Sequence, residues 1–243
     1  MSQSLTYQQI EELKAFPTPT VSNAIELFQV RPPTEGFMRP GLECRFPEFE
    51  PVIGYAATAT CGAQQPATEP FDMVAYHHAI LAQPAPRIAV TQDLDASPIG
   101  APFGEVYSSV HKRLGCVGAI TNGGVRDLDE VKELGFQLIS GSVMVSHACM
   151  HLLDFDVPVE VGQVTIHPGD LIHGDQHGFC IIPEPVAPHL AEACSSIETI
   201  ERPLLELARS PDFTPEAYSE RLAELRANLA AVSEEFSERV KSE

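Results

Sequence analysis

Between Arg87 and Ile139 the chain alternates short apolar runs with helical stretches, and this alternation restricts the fold more than any other feature. Arg87-Ile-Ala-Val-Thr91, Cys116 to Ile120 and Phe136 to Ile139 read as strands. Val106 to Leu114 and Asp127 to Leu134 read as the helices between them. Strands joined this way pair in parallel, because each helix must cross back over the sheet before the next strand begins. The predicted class is α/β. Upstream, Val52 to Cys61 is small and β-prone, a buried strand, and Phe71 to Leu81 reads as a helix.

The flanks differ in texture. Arg31 to Pro51 carries several prolines and glycines and is expected to be irregular. From Val157 onward, Val157 to Val161, Gln163 to Ile166, Asp170 to His173 and Gly178 to Ile182 are short strands separated by turns, which predicts an antiparallel sheet. Helices are predicted over Tyr7 to Phe16, Thr20 to Phe28 and Pro188 to Glu201, and Pro203 must kink the last of these or start a new one. A final helix opens at Thr214-Pro-Glu, with proline at its first helical position. Its Tyr218, Leu222, Leu225, Leu229, Val232 and Phe236 follow heptad spacing, which suits docking on the protein's own core or on a neighbouring subunit.

Composition excludes some functions. The 243 residues are 44% apolar and 20% charged, ordinary for a globule with a real core. A formal net charge of −19 argues against nucleic acid and against an anionic membrane surface, since both need a basic face. Acidic metabolites remain possible ligands where a metal or a few arginines reverse the local field. The six cysteines are widely spaced without a C-x-x-C pair, which fits reduced thiols in a cytoplasmic protein. The first residues lack the features of a signal peptide, and no apolar run approaches the about 18 residues of a membrane span.

The chemistry concentrates around Cys116-Val-Gly-Ala-Ile-Thr-Asn-Gly-Gly-Val-Arg-Asp127. Asn122-Gly-Gly reads as a turn that sets Arg126 and Asp127 side by side where a helix begins. Asp127 with Glu130 three residues on is close to a capping box, which needs no function. Arg126 adds a second reading, because a guanidinium at a helix N-terminus suits a planar carboxylate or enolate. Pro102-Phe-Gly-Glu-Val-Tyr107 offers backbone N–H groups after Gly104 as a carboxylate cradle, with Glu105 able to face a metal. The simpler reading of that segment is a loop glycine and a solvated glutamate. His173-Gly-Asp-Gln-His177 carries metal-binding residue types but reads as a hairpin turn. His147 and His151 stand four apart, as helical zinc ligands do, without the H-E-x-x-H glutamate. Nucleophilic and Schiff-base mechanisms lack support: there is no G-x-S-x-G elbow, and Lys14, Lys112, Lys132 and Lys241 lie in polar helical settings.

Taken together, Gly104, Arg126, Asp127 and Glu130 resemble the signature of the RraA-like family, which includes 4-hydroxy-4-methyl-2-oxoglutarate and 4-carboxy-4-hydroxy-2-oxoadipate aldolases. Pro17-Thr-Pro-Thr-Val-Ser-Asn-Ala24 and Pro168-Gly-Asp-Leu-Ile-His-Gly-Asp175 support the resemblance, which spans roughly Pro17 to Pro183. It implies an αββα sandwich of the swivelling phosphohistidine-domain type, assembled as homotrimers or homohexamers. The catalytic domain would cover residues 1–183, with a C-terminal helical extension over 184–243.

The resemblance also implies a site. Asp127 would bind Mg²⁺ or Mn²⁺, and Arg126 would hold the keto oxygen and stabilise an enolate. The backbone at Gly104, Glu105, Val106 and Tyr107 would take the pyruvyl carboxylate. Glu105 and Glu130 would order metal-bound waters, and a C-terminal glutamate, Glu201 ahead of Glu198, would reach an adjacent subunit's site. The expected activity is retro-aldol cleavage of a 4-hydroxy-2-oxo acid, oxaloacetate decarboxylation, or both. The competing class is a non-catalytic branch that binds and inhibits an RNA-degrading endonuclease. That branch lacks the acid found here as Glu130. Two departures stand out: Asn23 replaces an acid in the early helix, and Ser146 to His151 does not match the family's Pro-Arg stretch. If that stretch lines the pocket, the natural substrate differs from those of the named aldolases.

Overall fold

The computed structural model describes residues 4–242. In chain order it runs α1 (Tyr7–Lys14), α2 (Thr18–Leu27), β1 (Glu43–Cys44), β2 (Val52–Gly62), α3 (Met73–Ala82) and β3 (Arg87–Asp93). There follow α4 (Glu105–Arg113), β4 (Cys116–Val125), α5 (Leu128–Glu133), β5 (Gln137–Val143), β6 (His151–Phe155), β7 (Val159–Val161) and β8 (Val164–Ile166). The last elements are β9 (Leu171–Asp175), β10 (Gly178–Ile182), a 3₁₀ turn over Glu184–His189, α6 (Leu190–Arg209) and α7 (Pro215–Ser242). The chain divides into two compact units, Gly36–Ile182 and a helical unit made of Met1–Glu35 with Pro183–Glu243. The N-terminal helices thus group with the C-terminal ones, whereas the expected boundary at 183/184 places them with the strands.

In the Gly36–Ile182 unit, β2, β3, β4 and β5 pair in parallel as the alternation predicts. β1, β9 and β6 add antiparallel partners, and β10 extends the sheet beyond β9. Because side chains alternate across a strand, one sheet face carries Ala57, Ala59, Ala89, Ala119 and Leu138. These small residues let α3, α4 and α5 approach and bury Tyr76, Ile80 and Val131. The opposite face carries Ala56, Ile88, Val90, Ile120 and Ile139, packed on Val159, Val161, Val164 and Ile166. Burying each such Val or Ile contributes about 1.5–3 kcal/mol. The expected single antiparallel sheet after residue 157 is therefore two structures. β7 and β8 form their own ribbon over the core, while the β9–β10 hairpin joins the main sheet.

Asn122-Gly-Gly is not a turn. β4 continues to Val125, with its register shifting between Thr121 and Gly124. Asn122 clamps this extension: it accepts the Asp93 N–H at 2.7 Å and donates to the Asp93 carbonyl at 2.8 Å. Gly124 is required by close approach, since a Cβ there would lie 2.6 Å from Met144. Strand β6 is unforeseen, and it overturns the helical pairing of His147 with His151. His151 opens the strand opposite Gly62, and His147 precedes it outside any helix.

In the helical unit, α6 runs through Pro203 without ending there. The missing proline N–H leaves the Thr199 carbonyl unbonded within the helix, at little cost because both residues are solvent-exposed. α7 does not bury its heptad stripe. Phe236 and Ser237 alone in it are buried among the described residues, and Tyr218 stays 39% exposed. Full burial is confined to the last turns, where Phe236 meets Phe28 at a ring separation of 5.0 Å and Arg239 pairs with Glu192 at 2.6 Å, while Leu222, Leu225, Leu229 and Val232 are half-buried. Among the described residues no helix is long and apolar enough to cross a membrane.

Candidate active site

Segments following β3, β4 and β5 are laced together beyond the C-terminal ends of the parallel strands, where open α/β sheets usually bind ligands. The Arg126 N–H bonds the Phe103 carbonyl at 2.9 Å, the Ala101 N–H bonds Ser146 at 3.0 Å and the Met144 N–H bonds Val125 at 2.9 Å. This lacing brings Gly104, at the N-cap of α4, against Arg126 and Asp127.

Asp127 occupies the N-cap position of α5 in the left-handed region, at φ 54° and ψ 47°, and its side chain makes no cap bond to that helix. Asp is among the few L-residues that visit this region readily. The conformation turns the carboxylate toward α4, where Oδ2 accepts the Glu105 N–H at 3.0 Å. Arg126 Nε lies 3.6 Å from the same oxygen, and both side chains are about one-third exposed (37% and 36%). The capping-box reading of Asp127 and Glu130 therefore fails. Gly104 makes the arrangement possible, since a Cβ would sit 2.5 Å from Asp127 Oδ2 and 3.0 Å from Arg126 Cγ and Nε.

A cleft of ≈ 290 Å³ opens beside this turn. Gly104, Val106, Tyr107 and Arg126 line it. Ala101, Pro102, Met73 from α3, and Met150, His151 and Leu152 complete the wall together with His147. Asp127, Glu105 and Glu130 are not among the lining residues; Asp127 stands behind Arg126 at the cleft's edge, and both glutamates are exposed. The Glu105 N–H, expected for a substrate carboxylate, is taken by Asp127. The next N–H groups, of Val106 and Tyr107, have no carbonyl within the helix to bond and remain as donors at the start of α4. Glu198 and Glu201 lie on α6, in the helical unit. The histidines of His173-Gly-Asp-Gln-His177 belong to the β9–β10 hairpin, where the His177 N–H bonds Asp175 at 2.8 Å. Among the described residues, no group of three or more His, Cys, Asp or Glu could hold a metal ion.

Behind the cleft, the first turns of α4 are braced by a buried network that sequence reading missed. The Tyr107 carbonyl lies 2.8 Å from His111 Nδ1 and can only accept, so Nδ1 carries the proton. Nε2 then accepts the Tyr76 hydroxyl at 2.9 Å. Burial pushes His111 down to about 4, so the ring is neutral in ordinary conditions. Burial also pushes the Tyr107 phenol up, keeping it protonated. Sequence offered no sign of this brace, because Tyr76 reaches His111 from α3, 35 residues earlier.

The RraA-like family, described as Aldolase/RraA, matches residues 18–181. A Halalkalibacterium halodurans protein provisionally named 4-hydroxy-4-methyl-2-oxoglutarate aldolase is 33% identical over 82 residues, covering 33% of this chain and 39% of that protein. The chain spans less than two thirds of the length of the curated relatives it matches. In fold, an uncharacterized protein from Pseudomonas syringae pv. tomato superposes with a TM-score of 0.69 at 22% identity, covering 90% of this chain and 96% of the other. Streptomyces coelicolor RraAS2, described as an unusual member of the RNase ES inhibitor RraA family, gives 0.65 at 22% identity, covering 82% and 96%.

Proposed function

The chain belongs to the RraA-like family, and from that premise we propose that it is a divalent-metal-dependent carbon–carbon lyase acting on a pyruvyl-containing 2-oxo acid. The observation that carries the reading is the placement of Asp127. Its carboxylate is turned out of its own helix and pinned by the Glu105 N–H, with Arg126 beside it at the cleft. A carboxylate needed only to cap α5 has no reason to occupy a left-handed backbone and leave that helix uncapped.

The donor set fits Mg²⁺ or Mn²⁺. Oδ2 is engaged by the backbone, and Oδ1 is left for a ligand. One carboxylate with the rest of the sphere left to water suits Mg²⁺ better than a closed multi-ligand zinc site. When bound at Asp127, the cation supplies Lewis-acid charge next to a developing enolate oxygen. Arg126 contributes a fixed positive charge to the same oxygen, and the Val106 and Tyr107 N–H groups hold the carboxylate. In retro-aldol cleavage the C3–C4 electron pair moves into a C2–C3 double bond and the 2-oxo oxygen takes the charge. The C4 hydroxyl proton leaves to water, and C3 takes a proton from water to release pyruvate. Loss of carbon dioxide from oxaloacetate reaches the same enolate. Assembly as a trimer or hexamer, with Glu201 entering from an adjacent subunit, completes the proposed site.

The test is pyruvate release from oxaloacetate and from a panel of 4-hydroxy-2-oxo acids, with and without EDTA. EDTA-sensitive release, restored by excess Mg²⁺ or Mn²⁺, is the expected result. Inactivity of metal-replete protein across the panel sinks the lyase reading and moves the protein-binding regulator ahead.

A further inference from the structure

We infer that the substrate carries a single carboxylate and an apolar distal half: a 4-hydroxy-2-oxo acid whose C4 bears an alkyl or aryl group. This rests on the enolate reading above and extends it to the part of the molecule that leaves. The relatives whose printed names specify a substrate are provisionally named for an acid with a second carboxylate, so the distinction is chemical.

Three observations carry it. First, Arg126 is the only Lys or Arg among the cleft-lining residues, and it stands at the enolate end beside Asp127. Beyond it the wall is Met73, Val106, Met150 and Leu152, with the imidazoles of His147 and His151 among them. A second carboxylate lodged against these side chains would give up part of its hydration and meet no Lys or Arg of this chain. Second, His151 spends its Nδ1 on the Cys149 carbonyl 2.9 Å away, so it offers a ligand one ring nitrogen, Nε2, and not the paired donors that grip a carboxylate. A single nitrogen suits a C4 hydroxyl. Third, a chain of net charge −19 favours a monoanion over a dianion during approach. The ≈ 290 Å³ cleft has room for roughly ten water-sized groups. A pyruvyl unit fills only part of that, so a distal group of several carbons is accommodated.

The experiment runs the reaction in the direction of synthesis. Full-length protein with Mg²⁺ and pyruvate is offered 3-methylbutanal or benzaldehyde against glyoxylate or a second pyruvate, and adduct formation is compared as kcat/KM. Deuterium incorporation into the pyruvate methyl group is measured separately, because it reports enolate formation without any acceptor. The expected result is at least a ten-fold preference for the apolar aldehydes, narrowed or reversed in Met150→Arg. Equal or better use of glyoxylate, with deuteration intact, overturns the apolar distal half and leaves the enolate reading standing. A Met150→Arg protein that folds, deuterates pyruvate and keeps the wild-type preference also overturns it. Absence of deuteration in the wild type removes both readings together.

Discussion

Asp127 Oδ2 accepts the backbone N–H of Glu105, 22 residues earlier, at 3.0 Å. The carboxylate thus caps the start of α4 while its own helix, α5, begins uncapped. One hydrogen bond joins the two motifs that sequence reading treats separately, and it separates Asp127's structural role from its chemical one.

Asp127→Asn exploits that separation. The amide oxygen can still accept the Glu105 N–H, so thermal or urea unfolding should report a stability change within about 1 kcal/mol. The negative charge is lost, and metal-dependent turnover should fall by about 10²-fold or more. Mn²⁺ binding followed by electron paramagnetic resonance should weaken in parallel. Retained turnover would return the residue to a capping role.

Gly104→Ala should damage the site and spare the fold. The backbone at Gly104 is extended, at φ −137°, and tolerates any residue. The new methyl would meet the Asp127 carboxylate and the Arg126 side chain, which must move. Displacement of about 1 Å at a catalytic group can cost on the order of 10²-fold, so kcat/KM should drop by that order with the melting temperature nearly unchanged. Full activity in this variant would show that the close approach has no catalytic consequence.

Arg126→Lys retains the charge and loses the planar fork. Steady-state kinetics should show kcat reduced by about 10²–10³-fold, the range for removing one preorganised donor from a developing oxyanion. Near-wild-type kcat would mean that Arg126 serves only as a neighbour of Asp127.

Acid stability should follow His111. Its value falls from 6.5 in the unfolded chain to about 4 when folded, because burial disfavours the charged ring. Between those values the unfolded chain binds a proton that the folded chain does not, so stability decreases as pH falls from 6.5 and levels off below about 4. The contribution is roughly 3 kcal/mol. Urea titrations across this window should show the decline in wild type and a flatter profile in His111→Gln. An identical slope in both proteins would assign the acid sensitivity to other groups.

Local residue patterns made much of this legible and left identifiable gaps. The strand–helix alternation from Arg87 to Ile139 gave the parallel sheet because each element's period is written in consecutive residues. Gly104, Arg126 and Asp127 were legible because they form compact motifs. Asn122-Gly-Gly misled because turns and bulged strands draw on the same residue types, and only the distant Asp93 backbone decides between them. β6 was missed because its pairing with Ala59 to Gly62 is long-range and bulged. The apolar wall of the cleft was equally silent, since Met73 and Leu152 carry no motif and meet only through folding.

Deuterium exchange into the methyl group of pyruvate, followed by proton NMR, tests the central claim most directly, because it requires the enolate and nothing of the substrate's distal half. Wild-type protein with Mg²⁺ should exchange these protons well above background. EDTA, Asp127→Asn and Arg126→Ala should each return the rate to background. Exchange that survives EDTA or persists in Asp127→Asn would contradict an enolate site built on the Arg126–Asp127 turn.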